Sequence, residues 1–250
     1  MATRMKRYAR AHIHGGADYS CSALLPADLL PALRARLADY ASATIALGRG
    51  EQLARRGEPF RNLYLIVQGA FKLVHVGEGG GEQIVSFHGP RDLIGLDGFA
   101  THVHATDLVA LQSSMVCEFP IAAIEALAES DPNLLDHLLA YISEQLAAAE
   151  QLQHMLGSMS ATQKIAFFFM HLHEVLPGTD SVAMVYELPM TRAEIGNFIG
   201  LSMETASRLI SRLQAAGAIS IKRRHVRFLR IDVLRAWQTS SSSFPVEAVV

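Results

Sequence analysis

The sequence predicts an α+β fold in three parts: an N-terminal antiparallel β roll, a long dimerisation helix and a C-terminal winged helix-turn-helix. Three observations predict it. Short apolar runs separated by glycine-rich turns fill residues 44–119, an amphipathic run without glycine or proline begins at residue 133, and two short helical patterns precede a basic hairpin. A chain of 250 residues that is 50% hydrophobic can build more than one core.

The runs that predict the β roll are NLYLIVQG, FKLVHV, QIVSFHG, DLVAL and SSMVCEFP. Each has the length of a strand, and turn sequences such as GEGGGEQ and GPRDLIGLDG separate them. This spacing is typical of antiparallel strands in a roll or a sandwich. We assign residues 23–130 to the β-roll sensor domain and residues 1–22 to an N-terminal arm.

The long helix is predicted because its apolar residues recur at alternating intervals of three and four, the spacing of a coiled-coil seam. We expect a dimerisation helix over residues 131–160, with the homodimer formed through residues 133–159. The dimer should persist without any cofactor because no seam position is charged. The alternative is a helix that packs against its own β domain. The predicted seam consists of Leu135, Leu138, Ile142, Gln145, Ala149, Leu152, Leu156 and Met159.

The segment MTRAEIGNFIGLSMETASRLISRLQAAG reads as two helices joined by a tight turn. Thr191 and Glu194 form a capping box at the first helix, Ser202 can cap the second, and Gly217 can end it. At about 100° per residue, the second helix has an apolar side that can dock and a free polar side. The apolar side consists of Ala206, Leu209, Ile210 and Leu213, and the polar side carries Glu204, Ser207, Arg208 and Ser211.

Helix, turn, helix is a DNA-binding arrangement whose second helix enters the major groove. In that groove arginine can bond guanine through two hydrogen bonds, and glutamate can accept one from cytosine. An ordinary amphipathic hairpin with a solvated face would show the same pattern. The charge of the surrounding segment distinguishes the two interpretations.

Positive charge is concentrated around this helix pair. From Met190 to Trp237, nine Lys or Arg stand against three Asp or Glu, a balance of +6, whereas the whole chain carries a formal net charge of −2. The run AISIKRRHVRFLRI reads as a hairpin with a basic tip, which is a wing. Such charge binds phosphate. We predict a winged helix-turn-helix over residues 161–238, a disordered tail over residues 239–250, and DNA-phosphate contacts from Arg192, Arg212, Lys222, Arg223 and Arg224.

This order of domains resembles the CRP/FNR family of bacterial transcription regulators, and most of all its FNR branch. The stretches that carry the resemblance are LYLIVQGAFKLVHVGEGGGEQIVSFHGPRDLIGLDGF, SSMVCEFP and the helix pair, in which Glu204, Ser207 and Arg208 match the E-x-x-S-R arrangement of that branch. The resemblance implies that the β roll is of the cyclic-nucleotide-binding type. It also implies a homodimer that binds double-stranded DNA and reads a TTGAT half-site twice in an inverted repeat. It further implies a contact with RNA polymerase.

The resemblance raises the question of what the β domain senses. Relatives that bind cyclic AMP hold its phosphate with a G-E-L-A segment followed by R-[ST]-A. The corresponding region of this chain has His104, Ala105 and Thr106, with no arginine near that place. Because a buried phosphate without a cationic partner is unfavourable, cyclic AMP is not the expected ligand.

FNR itself holds a [4Fe-4S] cluster with four cysteines. Cys117 matches the position in the β domain and Cys21 matches the last of the N-terminal set, but the chain has only two cysteines. This departure argues against the cluster, because cubane clusters prefer four thiolates. Cys117 is expected as a buried strand residue and Cys21 as the more reactive thiol. A redox role, including a disulfide between them, stays open.

Pairs of the form H-x-H suggest a different function, a metal- or haem-dependent sensor. The candidates are His102 with His104 and His12 with His14. A third pair, in the run KIAFFFMHLHEVL, reads as helical, so its two imidazoles point about 200° apart and cannot chelate one ion.

A further alternative is a cupin-like metalloenzyme fused to a DNA-binding module. That class needs a glutamate a few residues after H-x-H, and here Ala105 to Leu108 contain none. We therefore expect no enzyme. The chain also lacks an apolar run long enough to span a bilayer and an apolar signal-peptide core, so we expect a cytoplasmic protein without a membrane partner.

Overall fold

The computed structural model describes residues 43–130, 132–175 and 185–239, and it divides into two compact units with the boundary between Tyr141 and Ile142. Cys21, His12 and His14 lie outside the described residues, as do the predicted arm and nearly all of the predicted tail. Of the helices in the described ranges, none combines the length and the apolar character that a bilayer crossing requires.

Two antiparallel sheets of four strands each build the β roll, in the orders β1-β8-β3-β6 and β2-β7-β4-β5. The five predicted runs correspond to β3, β4, β5, β7 and β8, so the predicted architecture is confirmed. The other three strands are too short or too weakly patterned to be distinguished from turns in the sequence. The strands are β1 (Ala43–Leu47), β2 (Gln52–Ala54), β3 (Asn62–Gln68), β4 (Phe71–Val76), β5 (Glu82–His88), β6 (Leu93–Ile94), β7 (Asp107–Ala110) and β8 (Ser114–Pro120).

The central strand β3 is apolar at every position from Leu63 to Ile66 because both of its faces are covered. Leu63 and Leu65 belong to the core cluster that includes Phe119, and Tyr64 and Ile66 belong to the other cluster. Full burial of such a side chain stabilises the fold by roughly 1.5–3 kcal/mol. Helix α1 (Ile121–Ser130) closes the first cluster with its Ile124 and Leu127 side chains.

The long helix α2 (Pro132–Ser158) is observed, but its exposed apolar side chains coincide only in part with the predicted seam, sharing Leu135 and Ile142 with it. Leu138 packs against the β-roll core, and the Tyr141 hydroxyl group accepts from the Leu93 amide at 3.1 Å and donates to the Leu93 carbonyl oxygen at 3.2 Å. An amphipathic helix offers more than one stripe with intervals of three and four, and packing decides which stripe is covered. The exposed apolar side chains are Leu135, Leu139, Ile142 and Leu146.

The C-terminal unit is a winged helix-turn-helix, as predicted. A third strand, β9, pairs with the wing hairpin and gives the sheet order β10-β11-β9. This strand has three residues, and the sequence carries no periodic signal for it. The elements are α3 (Ala161–Val175), β9 (Val185–Glu187), α4 (Arg192–Phe198), α5 (Met203–Ala215), β10 (Ile219–Lys222), β11 (His225–Phe228) and α6 (Ile231–Thr239).

Local signals set the ends of the helix pair. The Thr191 side chain accepts from the backbone N–H of Glu194, whose carboxylate accepts in return from the Thr191 amide, and the Ser202 side chain accepts from the Thr205 amide. The turn depends on two glycines. Gly200 has a φ of +67°, and a Cβ atom on Gly196 would lie 2.8 Å from the Leu201 carbonyl oxygen. The two helices can therefore approach closely only with glycine at position 196.

We expect Gly196→Ala to destabilise the C-terminal unit by about 1–3 kcal/mol, because the added methyl group collides with backbone that cannot move aside cheaply. Gly157→Ala is the matched control: it also lies in a helix, but its Cβ atom would meet nothing within 4 Å. That change should stabilise the chain slightly. Urea unfolding followed by the fluorescence of Trp237, the one tryptophan of the sequence, measures both. Equal effects of the two substitutions would contradict this account of the turn.

Candidate nucleic-acid interface

Helix α5 has a fully buried apolar side and an accessible polar side. Ala206, Ile210 and Leu213 have no exposed surface, and Leu209 is 3% exposed. Because these four side chains fix the rotation of the helix about its axis, the opposite side chains face outward as a group. Glu204, Arg208 and Ser211 are exposed and Ser207 is half-buried.

Glu204 stands in the first turn of α5, where free backbone N–H groups favour negative charge. Its own backbone N–H group and the Ser202 hydroxyl lower the pKa of Glu204 below the ordinary value. The carboxylate is therefore ionised at neutral pH and acts only as a hydrogen-bond acceptor.

Arg192 and Ser207 are in direct contact, although the sequence places them on different helices. The Arg192 Nη1 atom lies 2.7 Å from the Ser207 Oγ atom. Because arginine only donates, the serine oxygen accepts this bond, and the serine O–H group is left to donate elsewhere. The first helix thus holds a side chain of the second in a defined hydrogen-bonding role.

Five basic residues are predicted to contact phosphate. Besides Arg192, two of them contact other parts of the protein and two are exposed. The Arg212 guanidinium lies over the Trp237 ring at 5.4 Å from its centre. Arg224 donates from Nε to the Leu188 carbonyl oxygen at 3.3 Å and from Nη2 to the Pro189 carbonyl oxygen. Lys222 and Arg223, at the tip of the wing, are exposed.

Met203 is a feature of this surface that the sequence reasoning missed. It is the first residue of α5, next to Glu204, and 52% of it is exposed. A large apolar side chain in the first turn of a helix otherwise polar on this side was the available signal. Such a side chain can contact the C5-methyl group of thymine in the major groove.

The histidines of the β roll do not converge. His102 is exposed, whereas His104 is only 3% exposed, and its Nδ1 atom lies 3.2 Å from Asp97 Oδ1. Burial acts to raise the pKa of Asp97, but hydrogen bonds from His104 and Thr106 outweigh it and hold that pKa below its ordinary value. The described residues contain no group of three or more side chains that could hold a metal ion.

The third H-x-H pair lies on helix α3, as expected. His171 is exposed and stacks on Phe167, with the ring centres 6.3 Å apart. His173 is half-buried, with its ring centre 4.8 Å from that of Phe228. The two imidazoles therefore have separate surroundings, which agrees with their separation around the helix axis.

Cys117 has no exposed surface, and it lies in the core cluster of the β roll beside Leu65 and Phe119. No cysteine among the described residues is a free thiol. Four thiolates are the usual ligands of a [4Fe-4S] cluster, and the sequence holds two cysteines. The donor set of this chain does not fit that cluster.

Comparison with known proteins agrees with the geometry of both units. Residues 44–131 match the family model of the cyclic nucleotide-binding domain, and residues 163–237 match that of the Crp-like helix-turn-helix domain. The transcriptional activator protein Anr of Pseudomonas aeruginosa is 34% identical over 183 residues, which cover 73% of this chain and 75% of that protein. The chain belongs to the CRP/FNR family.

Other members of the CRP/FNR family support the same assignment. The regulatory protein HlyX of Actinobacillus pleuropneumoniae is 32% identical over 186 residues, which are 74% of this chain and 78% of that protein. The structure of FixK2 from Bradyrhizobium japonicum superposes with a TM-score of 0.73 at 26% identity, covering 80% of this chain and 98% of that one. This chain is therefore a DNA-binding transcription regulator near the FNR branch, and these relatives are named as regulators.

We expect Arg224→Ala and Arg223→Ala to differ sharply, although the sequence places both in the same basic run. Removing Arg224 takes donors from two backbone carbonyl groups, which should destabilise the C-terminal unit by about 1–2 kcal/mol. Removing the exposed Arg223 should change stability by less than about 0.5 kcal/mol. Urea unfolding without DNA, followed by Trp237 fluorescence, compares them. Equal stability of the two variants would show that the Arg224 contacts contribute nothing.

Proposed function

We propose that this regulator binds double-stranded DNA as a homodimer and reads a TTGAT-like half-site twice, in an inverted repeat. The observation that carries the proposal is α5, whose apolar side is buried and whose Glu204, Ser207 and Arg208 lie together on the outer side. One helix reads only a few base pairs, and two copies about one DNA turn apart multiply that discrimination.

Each residue on this surface has a chemical role in the proposal. Arg208 donates two hydrogen bonds to the guanine of the half-site, and Glu204 accepts from the amino group of a cytosine. Ser207, with its oxygen engaged by Arg192, donates to an acceptor atom on a base edge. Met203 contacts a thymine methyl group.

Phosphate contacts are the proposed role of the basic residues around α5 and the wing. Lys222 and Arg223 are exposed and can reach the backbone directly. Arg192, Arg212 and Arg224 can contribute charge while they keep the protein contacts described above, because a guanidinium group has five N–H donors. These contacts orient the protein on the duplex but carry no sequence information.

The homodimer is proposed to form along α2. Leu135, Leu139, Ile142 and Leu146 follow intervals of four, three and four, so they lie within about 60° of one another around the helix axis. Each of them is between 41% and 60% exposed in the single chain. A second copy of the same helix would cover this stripe, and no residue of the stripe is charged.

The regulator is proposed to act in the cytoplasm, where it meets its DNA, and to act on transcription through RNA polymerase. Activation is the direction we favour, since the relatives from Pseudomonas aeruginosa and Stutzerimonas stutzeri are both named as transcriptional activators. The alternative of a metal sensor or a metalloenzyme built on His102 and His104 is not favoured. His104 is buried and bonded to Asp97, whereas His102 is exposed, so the two imidazoles have different surroundings.

We expect Arg208→Ala to weaken binding to a duplex with the TTGAT inverted repeat at least about 10-fold, with little effect on a duplex whose half-sites are scrambled. Arg223→Ala is the matched control at a phosphate position. It should weaken binding to both duplexes equally and reduce the dependence on salt. Fluorescence anisotropy titrations at several salt concentrations separate the two patterns. Equal losses on both duplexes for Arg208→Ala would contradict the base-reading role.

We expect Leu139→Glu to convert the dimer to a monomer, because a charge without a partner is then buried in the apolar stripe. The dimer dissociation constant should rise at least about 100-fold. Ala148→Glu adds the same charge to an exposed position on another side of α2 and should leave the dimer intact. Analytical ultracentrifugation at micromolar concentration measures both. A monomeric wild-type protein, or a dimeric Leu139→Glu variant, would refute the assignment of this stripe.

A further inference from the structure

In the β-roll segment from Gly95 to Thr106, several hydrogen-bond donors converge on a single carboxylate, that of Asp97. Asp97 lies in a short 3-10 helix formed by Leu96–Gly98. Its Oδ2 atom accepts from the backbone N–H groups of Ala105 and Thr106, both at 2.9 Å, and from the Thr106 hydroxyl at 2.8 Å. With His104 on the other oxygen at 3.2 Å, four donor groups converge on one side chain.

The donors around Asp97 have the arrangement of an anion-binding site. Two successive backbone N–H groups that point at the same place, together with a hydroxyl group, form a concave site of the kind that binds phosphate oxygens. The site lies inside the region that matches the cyclic nucleotide-binding domain, residues 44–131. In this chain the anion already present there is covalently part of the protein.

A nucleotide phosphate does not fit this site while Asp97 stays in place. The phosphate would have to take the same four donors, and the displaced carboxylate would then lie close to a second negative charge. The surroundings of the His104 imidazole also favour the arrangement in which Asp97 keeps its four donors. Thr106 and His104 are buried, and the His104 ring contacts the Phe60 ring edge-on at 5.6 Å between centres.

We propose that Asp97 is a built-in ligand of this domain, and that its carboxylate occupies the oxyanion site that a nucleotide phosphate would otherwise fill. The domain therefore takes no cyclic nucleotide. The site binds small oxyanions, such as formate or phosphate, only when the Asp97 side chain is removed. This inference concerns the β roll alone and does not depend on how the C-terminal unit reads DNA.

Thermal unfolding of the full chain with added anions tests the proposal. We expect Asp97→Ala to unfold at a lower temperature than the wild type, and about 100 mM formate to raise its Tm by about 2 °C or more relative to chloride of equal ionic strength. Formate, phosphate and cyclic AMP should not shift the wild type. The matched control is Asp107→Ala, which removes a β-roll carboxylate that accepts from the Arg56 amide at 2.7 Å and from Gln52 at 3.2 Å.

Two results would overturn the proposal. One is stabilisation of the wild type by cyclic AMP or phosphate, because the site would then be open to an external ligand. The other is a response of Asp97→Ala to formate that is no larger than that of Asp107→Ala, because the lost carboxylate would then have no specific site.

A measurement on the wild type alone keeps the proposal testable if Asp97→Ala does not fold. In an NMR titration towards acid, the amide protons of Ala105 and Thr106 should shift together, with one common midpoint that coincides with protonation of the Asp97 carboxyl. Amide protons that do not follow that carboxyl would show that it does not occupy the site.

Discussion

The close approach of α4 and α5 is the constraint on which the rest of the DNA-binding surface depends. Gly196 lets the backbone of α4 reach the Leu201 carbonyl, and the turn through Gly200 then brings the apolar side of α5 into the core. Once Ala206, Leu209 and Leu213 are buried, the direction of the polar side has no remaining freedom. The outward direction of the proposed base-reading side chains thus follows from a packing requirement on the opposite side of the helix.

The contacts around α5 suggest that its surface is organised by side chains from its neighbours. Arg192 on α4 holds Ser207, Trp237 on α6 supports Arg212, and Arg224 in the wing bonds the backbone just before α4. Each of these arginines is held by a protein contact, and each is proposed to contact DNA phosphate as well. In the proposed complex, the guanidinium groups that order this protein surface are therefore the same groups that bring positive charge to the DNA.

The β roll carries the fold of a nucleotide-binding domain with different chemistry at one point. The Asp97 carboxylate takes the hydrogen-bond donors that an external anion would need, and His104 is buried against this carboxylate. A fold that matches a ligand-binding family does not establish that the ligand is bound, because the fold fixes the backbone while side chains decide the occupant. The assignment to the CRP/FNR family is thus compatible with the proposal that Asp97 takes the place of a nucleotide phosphate.

The sequence alone determined the five longer runs of the β roll, the long helix, the caps of α4 and α5, and the two sides of α5, because periodicity and capping involve residues only a few positions apart. It also gave the family, through motifs that are contiguous in the chain. It did not show β1, β2, β6 and β9, which are short and weakly patterned. Tertiary structure alone decided that Leu139 and not Leu138 is exposed, that Arg224 is bound to backbone while Arg223 is free of the core, and that Asp97 meets Thr106. These outcomes depend on which distant elements come into contact, and a local pattern does not contain that information.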